Sequence, residues 1–200
     1  MPVPRHLRIA LLPLTAAFAL SACGINSVPT AEEAAKAKWA DVQAQYQRRA
    51  NLTGNLVATV KAAGKQEQET LTRVTEARAK ATSIQINAED LSDPAKVAQY
   101  QAAQAQLSQG LGRLLASVEA YPDLKTNENF LQLQSQLEGT ENRIAVAIRD
   151  YNGAVQDYNT RIRTFPDAIG AKLIHGAKPM TPFQATTPGA EEAPKVDFGN

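Results

Sequence analysis

The sequence predicts an all-α protein: an antiparallel up-and-down four-helix bundle of long helices, preceded by a cleavable N-terminal signal segment and followed by an irregular tail. Three observations predict it. Apolar residues recur at alternating steps of three and four over long stretches, which keeps one face of each helix against a partner. Gly and Pro, 11 of each in 200 residues, lie mostly near the two ends. No stretch alternates polar and apolar residues with β-branched enrichment, so no sheet is expected.

The longest periodic stretch, residues 126–165, organises the rest. Its apolar positions are Phe130, Leu133, Leu137, Ile144, Ile148, Tyr151, Val155, Tyr158, Ile162 and Phe165. Glu141 completes the stripe and marks a stutter, where two steps of four meet. Thr126 or Asn127 caps the start, and Phe165-Pro166 ends it, because a residue before proline is pushed out of the α region. Such a helix is roughly 57 Å long and too apolar along one edge to stand alone in water.

At the N-terminus, Arg5, His6 and Arg8 precede a short apolar run over residues 9–20, too short to span a bilayer and typical of a secretory signal peptide. It ends in Leu20-Ser21-Ala22-Cys23, which resembles the lipobox of bacterial lipoproteins. That resemblance implies cleavage before Cys23 and lipidation of its thiol, hence attachment to a membrane through Cys23. It is the only cysteine, so an intramolecular disulfide is impossible. Gly24 follows, not the aspartate associated with inner-membrane retention. By analogy the address is the cell envelope, with the outer membrane facing the periplasm favoured in a diderm source and the inner membrane as the alternative. The expected division is a signal peptide (1–22), a lipidated tether (23–29), a helical bundle (30–166) and an irregular, Pro-rich tail (167–200).

Within the bundle, a first helix from about Thr30 carries Trp39, Val42, Tyr46, Arg49, Thr53, Leu56 and Val60 on one stripe and stops near Ala63-Gly64. A second, 67–87, shows Leu71, Val74, Arg78, Ala81 and Ile84. Asp93-Pro94, an N-cap with proline at the first helical position, starts a third, with Tyr100, Ala103, Leu107, Leu111, Leu114, Val118 and Tyr121, closed by Pro122. Short connections make successive long helices antiparallel neighbours.

Several ordered motifs carry a family resemblance: WADVQAQYQRRANLTGNLVATVK from Trp39, ETLTRVTEARA from Glu69, AYPDLKTNENF from Ala120 and LEGTENRI from Leu137. Tyr151-Asn152, Tyr158-Asn159 and Phe165-Pro166 complete the set. Together, over residues 39–166, the chain resembles the LemA family. The resemblance implies a membrane-attached, mostly helical bundle with no known catalytic residue, so none is assigned. Many members look anchored by an uncleaved N-terminal helix, whereas this chain has a lipobox. The segment after Pro166 matches the family pattern only loosely.

Three charged residues sit on the apolar stripes: Arg49, Arg78 and Glu141. Counted from the end of the bundle that holds the first helix turn, they fall within one turn of a common level, roughly 20 Å down. They are expected to form a structural polar layer that fixes helix pairing and register, with Glu141 stabilising both arginines. The functional alternative is a charge cluster that senses a ligand or partner. Asn152 and Asn159, seven apart beside the two tyrosines, either repeat the polar device on a smaller scale or are ordinary solvated positions.

The unequal helix lengths leave an aromatic end with fewer neighbours: Trp39, Tyr46, Tyr151, Val155, Tyr158, Ile162 and Phe165 form a candidate partner surface. Cover by the tail through Leu173, Ile174 and Phe183 is the expected outcome, because uncovered aromatics on this scale are uncommon on monomers. The alternative is a groove for a partner segment.

Removing Arg5 and Arg8 from the 21 Lys+Arg leaves 19 against 20 Asp+Glu, a net charge of −1, and this balance gives no reason to expect nucleic acid as a partner. Outside the signal segment His175 is the lone histidine, so Glu-x-x-His di-metal pairs, Zn spacings and Ser-His-Asp triads are missing, and no metal, cofactor or catalytic residue is assigned. Two function classes remain. One is a non-enzymatic envelope scaffold or adaptor for another membrane or envelope protein; the other is a periplasmic ligand-binding sensor using the polar layer or the aromatic groove.

Overall fold

The computed structural model describes residues 5–63, 68–118 and 120–184, with only the backbone described for 5–25. The signal-peptide and lipidation readings, the Cys23 side chain and the tail beyond 184 therefore lie outside the described side chains. The protein is all-helical, and no strand occurs among the described residues.

Four long helices dominate: α1 (Arg5–Ala62), α2 (Gln68–Ser83), α3 (Pro94–Val118) and α5 (Glu128–Arg161). A one-turn α4 (Pro122–Lys125) links α3 to α5, and α6 (Asp167–Gly170) continues into a π turn, Ala171–His175. The expected starts are visible in hydrogen bonds. The Asp93 carboxylate accepts from the Ala95 amide at 2.9 Å at the head of α3, and the Asn127 side chain accepts from the Phe130 amide at 3.2 Å at the head of α5.

The stripe read on the first helix is buried throughout, from Trp39 to Val60. Helix α5 runs antiparallel to α1: Trp39 meets Tyr151 and, ten residues further along both, Arg49 meets Glu141. Helix α2 packs against α3, with the Gln104 amide of α3 donating to the Ala81 carbonyl of α2. Two apolar clusters result. An aliphatic one holds Leu56, Val60, Val74, Leu107, Leu114 and Phe130; an aromatic one holds Trp39, Tyr46, Tyr100, Tyr151, Tyr158 and Phe183.

The structure corrects several sequence expectations. Residues 24–29 are not a loose tether: α1 passes through them without a break, and Val28 is fully buried in the aromatic cluster. The second helix ends at Ser83, because Ile86 leaves the helix to plug the aromatic end beneath the Trp39 indole. The fourth ends at Arg161, four residues short of Phe165. The tail is not irregular from 167 onward. It forms α6 and the π turn, Gly176 reverses it with φ 55°, a conformation that suits glycine, and residues 177–183 lie back along α5.

Candidate functional site

The returning tail is held by a repeated device on α5. Tyr158 Oη donates to the Lys178 carbonyl at 3.0 Å, and Tyr151 Oη to the Thr181 carbonyl at 2.9 Å. Each neighbouring asparagine pairs with one tail residue in both directions. Asn159 Nδ2 donates to the Met180 carbonyl at 2.8 Å while its Oδ1 accepts from the Met180 amide at 2.9 Å. Asn152 does the same with Phe183, at 2.9 and 2.7 Å. A primary amide carries one donor face and one acceptor, so each asparagine stands in for a neighbouring strand.

The repeat spacing follows from backbone dimensions. Seven helical residues rise about 10.5 Å, and three extended residues span about 10 Å. A Tyr-Asn pair every seven residues on α5 therefore meets a tail backbone unit every three residues, running the opposite way. The Thr181 amide also donates to the Leu91 carbonyl at 2.8 Å, tying the tail to the α2–α3 connection.

This latch seats Phe183 in an aromatic cage. Its ring centroid lies 5.7 Å from Trp39, 6.2 Å from both Tyr46 and Tyr151, and 6.4 Å from Tyr100. Trp39 Nε1 donates to the Ile86 carbonyl at 3.2 Å. Burial raises the pKa of the phenols: Tyr46 is pushed up to about 12, and Tyr100, Tyr151 and Tyr158 are raised for the same reason. The candidate partner surface is thus covered, not open. Trp39, Tyr46, Tyr151, Val155 and Tyr158 are buried, and Ile162 is half-buried. Phe165 stands apart at 76% exposed. The covering residues are Phe183, Met180 and Ala171; Leu173 and Ile174, expected to cover, are exposed.

At mid-bundle the polar layer is built around Arg49, which is 2% exposed. Its Nη1 donates to Ser108 Oγ at 2.6 Å and Glu141 Oε1 at 3.2 Å; its Nη2 donates to the carbonyl and side chain of Gln104 at 3.1 and 2.7 Å. The guanidinium also lies over the Tyr46 ring, 4.8 Å from its centroid. Because Gln104 in turn donates to Ala81, one arginine ties all four long helices together. Arg78 does not share the acid. Its Nε donates to the Ala50 carbonyl at 2.6 Å, and its head lies against Gly54, where an added Cβ would stand 3.3 Å from Cζ. Level along the bundle was readable from sequence; angle around the axis was not. The Glu141 side chain is 46% exposed, so it is not the buried counter-ion the sequence suggested.

Gln104 and Ser108 carry no apolar signal that marks them as buried, although Gln104 lies four residues after Tyr100, on the edge of the α3 stripe. A cleft of about 480 Å³ opens beside this layer, lined by Arg49, Gln101, Ser108, Glu141 and Phe183 among others. Two buried donors facing this region, Arg49 Nε and Gln101 Nε2, have no protein partner. Among the described residues no group of His, Cys, Asp and Glu could hold a metal ion, and no helix is long and apolar enough to cross a membrane.

Fold and site together define an all-helical body whose aromatic end is closed by its own tail. The LemA family model matches residues 38–198, and the chain belongs to the LemA family. That match includes the latched tail, so the family likeness extends past Pro166, where the sequence motifs alone faded. The chain is similar to the protein LemA of Metamycoplasma hominis, 31% identical over 108 residues, covering 54% of this chain and 45% of that protein. It is also similar to magnetosome protein MamQ 2 of Paramagnetospirillum magneticum and MamQ of Magnetospirillum gryphiswaldense. These are 27% and 26% identical over 181 residues, covering 82% of this chain and 66% of each relative. The chain thus spans less than two thirds of these relatives' own lengths.

Proposed function

We propose that this LemA-family chain is a non-enzymatic, lipid-anchored scaffold or adaptor of the cell envelope, an antiparallel up-and-down four-helix bundle that presents its outer helical faces to another membrane or envelope protein. One observation carries the reading: the tail latch seals the concave aromatic end, so the surface left to meet a partner is a rigid exterior. The lipobox at Cys23 supplies the anchor, and the MamQ relatives support a membrane-associated setting by likeness.

Photocrosslinkers at Leu131 and Val146, both about half-exposed on α5, test this. The expected result is one envelope protein captured at both positions and lost when either residue is made charged. Capture no greater than from a polar exposed control overturns it. Cys23→Ser should move the protein to the soluble fraction; retention on membranes refutes the lipid anchor.

A second reading, a periplasmic ligand-binding sensor, rests on the cleft beside Arg49, where two unpartnered donors favour a ligand with carboxylate or carbonyl oxygens. A small acid retained by the purified protein in native mass spectrometry, and lost in Gln101→Leu, would support this reading over the first.

A further inference from the structure

Four large apolar side chains are exposed in one short stretch: Phe165 at 76%, Ile169 at 55%, Leu173 at 79% and Ile174 at 60%. Ile169 and Leu173, spaced by four, lie in α6 and the π turn that continues it, and Phe165 stands in the turn just before α6. Folding does not require their exposure, because Ala171 between them is buried against α1 and holds the segment in place. Exposed cations rim the stretch, at Arg163, Lys172 and Lys178, against Asp167 within it. Another acid nearby, Asp157, is held by Arg161 at 2.9 Å.

Position identifies the occupant. The α1–α5 register set by Trp39–Tyr151 and Arg49–Glu141 places Arg161 level with Pro29. Tyr158 feels Glu32 and Lys36, in agreement with that register. Unbroken helix separates Pro29 from Cys23, so the anchor point lies only about 9 Å further along the axis. The chain beyond Arg161 then turns at this end of the bundle and packs α6 onto α1. A cluster of exposed apolar residues rimmed by cations, beside a lipid attachment point, has the chemistry of an interfacial membrane contact.

We infer that Phe165, Ile169, Leu173 and Ile174 dip into the headgroup and acyl boundary of the bilayer, as a second, non-covalent contact that fixes how the bundle stands on the membrane. The ligand is a lipid surface, with anionic headgroups favoured by Arg163, Lys172 and Lys178. This inference rests on the lipid-anchor reading.

The test uses the full-length lipoprotein in vesicles of mixed phosphatidylglycerol and phosphatidylethanolamine. Leu173→Cys carries an environment-sensitive dye, with Val146→Cys, exposed on α5 far from this end, as the control. The expected result is blue-shifted emission and quenching by brominated lipid at Leu173, and neither at Val146. Emission at Leu173 as water-like as at Val146 overturns the inference. A blue shift without bromolipid quenching also overturns it, because a protein then covers the patch. Failure of the anchor is read separately, as Cys23 reacting with a thiol reagent in the unlabelled wild-type protein. In that case the dye at Leu173, attached in a Cys23→Ser background so that it labels one thiol and read on the purified chain mixed with the same vesicles, still decides the lipid contact.

Discussion

The two halves of the bundle are stabilised differently. Above Arg49 the core is mostly aliphatic, and every large side chain in it except Leu124 of the one-turn α4 comes from a helix whose stripe could be read directly. Below Arg49 the core is aromatic, and two of its parts, Ile86 with Leu91 and Met180 with Phe183, arrive from outside the long helices. The upper half is assembled by pairing of the long helices, with Leu124 of the short α4 as its one contribution from a connection. The lower half is complete only after the tail has returned along the last part of α5, from Asn159 to Tyr151. The lower half is therefore the part that can open while the rest stays folded, since its closing element is a single extended segment held mainly by side-chain bonds and one backbone bond to Leu91.

The strongest way to break this comparison is to truncate the tail's anchor. Phe183→Ala should cost about 3–4 kcal/mol and strip hydrogen-exchange protection from residues 177–183. Leu107→Ala in the upper half should cost a similar amount, about 2–5 kcal/mol, yet leave the tail protected. Equal loss of tail protection in both variants would mean the halves are one cooperative unit.

Alkaline titration gives the next largest effect. Tyr46, Tyr100, Tyr151 and Tyr158 have folded-state pKa values raised by burial above the ordinary phenol value. Their contribution is fully present below about pH 10 and is lost as pH climbs through the folded values. For Tyr46, pushed up to about 12, that loss amounts to roughly 3 kcal/mol. Urea midpoints should therefore fall between about pH 10 and pH 12, more gently in Tyr46→Phe. A flat profile across that range would show that the phenols reach water.

Asn152→Ala should cost about 2 kcal/mol, because it leaves the buried Phe183 amide and carbonyl unpaired, and should expose the tail to limited proteolysis. The aspartate variant restores the acceptor but not the donor and should fall between. Smallest is Glu141→Ala, expected at under about 1 kcal/mol, since Arg49 keeps Ser108 and Gln104 as acceptors and the carboxylate is half solvated. A loss near 3 kcal/mol in chemical denaturation would restore Glu141 as an indispensable counter-ion.

What was legible in the sequence follows from what side-chain periodicity encodes. Burial of Trp39, Tyr46, Leu56, Leu107 and Tyr151 followed from steps of three and four, and the α3 and α5 starts from Asp93-Pro94 and Asn127. The Arg49–Glu141 meeting followed from counting residues from a turn. The misplacement of Arg78 has a simple cause: counting fixes height, whereas the groove beside Gly54 decides which side of α1 the guanidinium takes. The tail was illegible for a different reason. Asn152 and Asn159 bind backbone groups of Met180 and Phe183, and a backbone group is the same at every residue, so no pattern within residues 177–183 announces the contact. The signal lay on the other partner, in a Tyr-Asn pair repeated at seven.

That repeat makes the strap a ratchet with coarse teeth. Displacement by one residue presents the wrong side of the peptide to both asparagines at once, so small slips are penalised twice. Displacement by three would bring Met180 to Asn152 but ask Asn159 to take Ala177, whose amide is already held by the Ala171 carbonyl, so one asparagine grips while the other lets go. The strap should accordingly populate full engagement, half engagement or release, with nothing in between, and a pull on the C-terminus should be felt in steps.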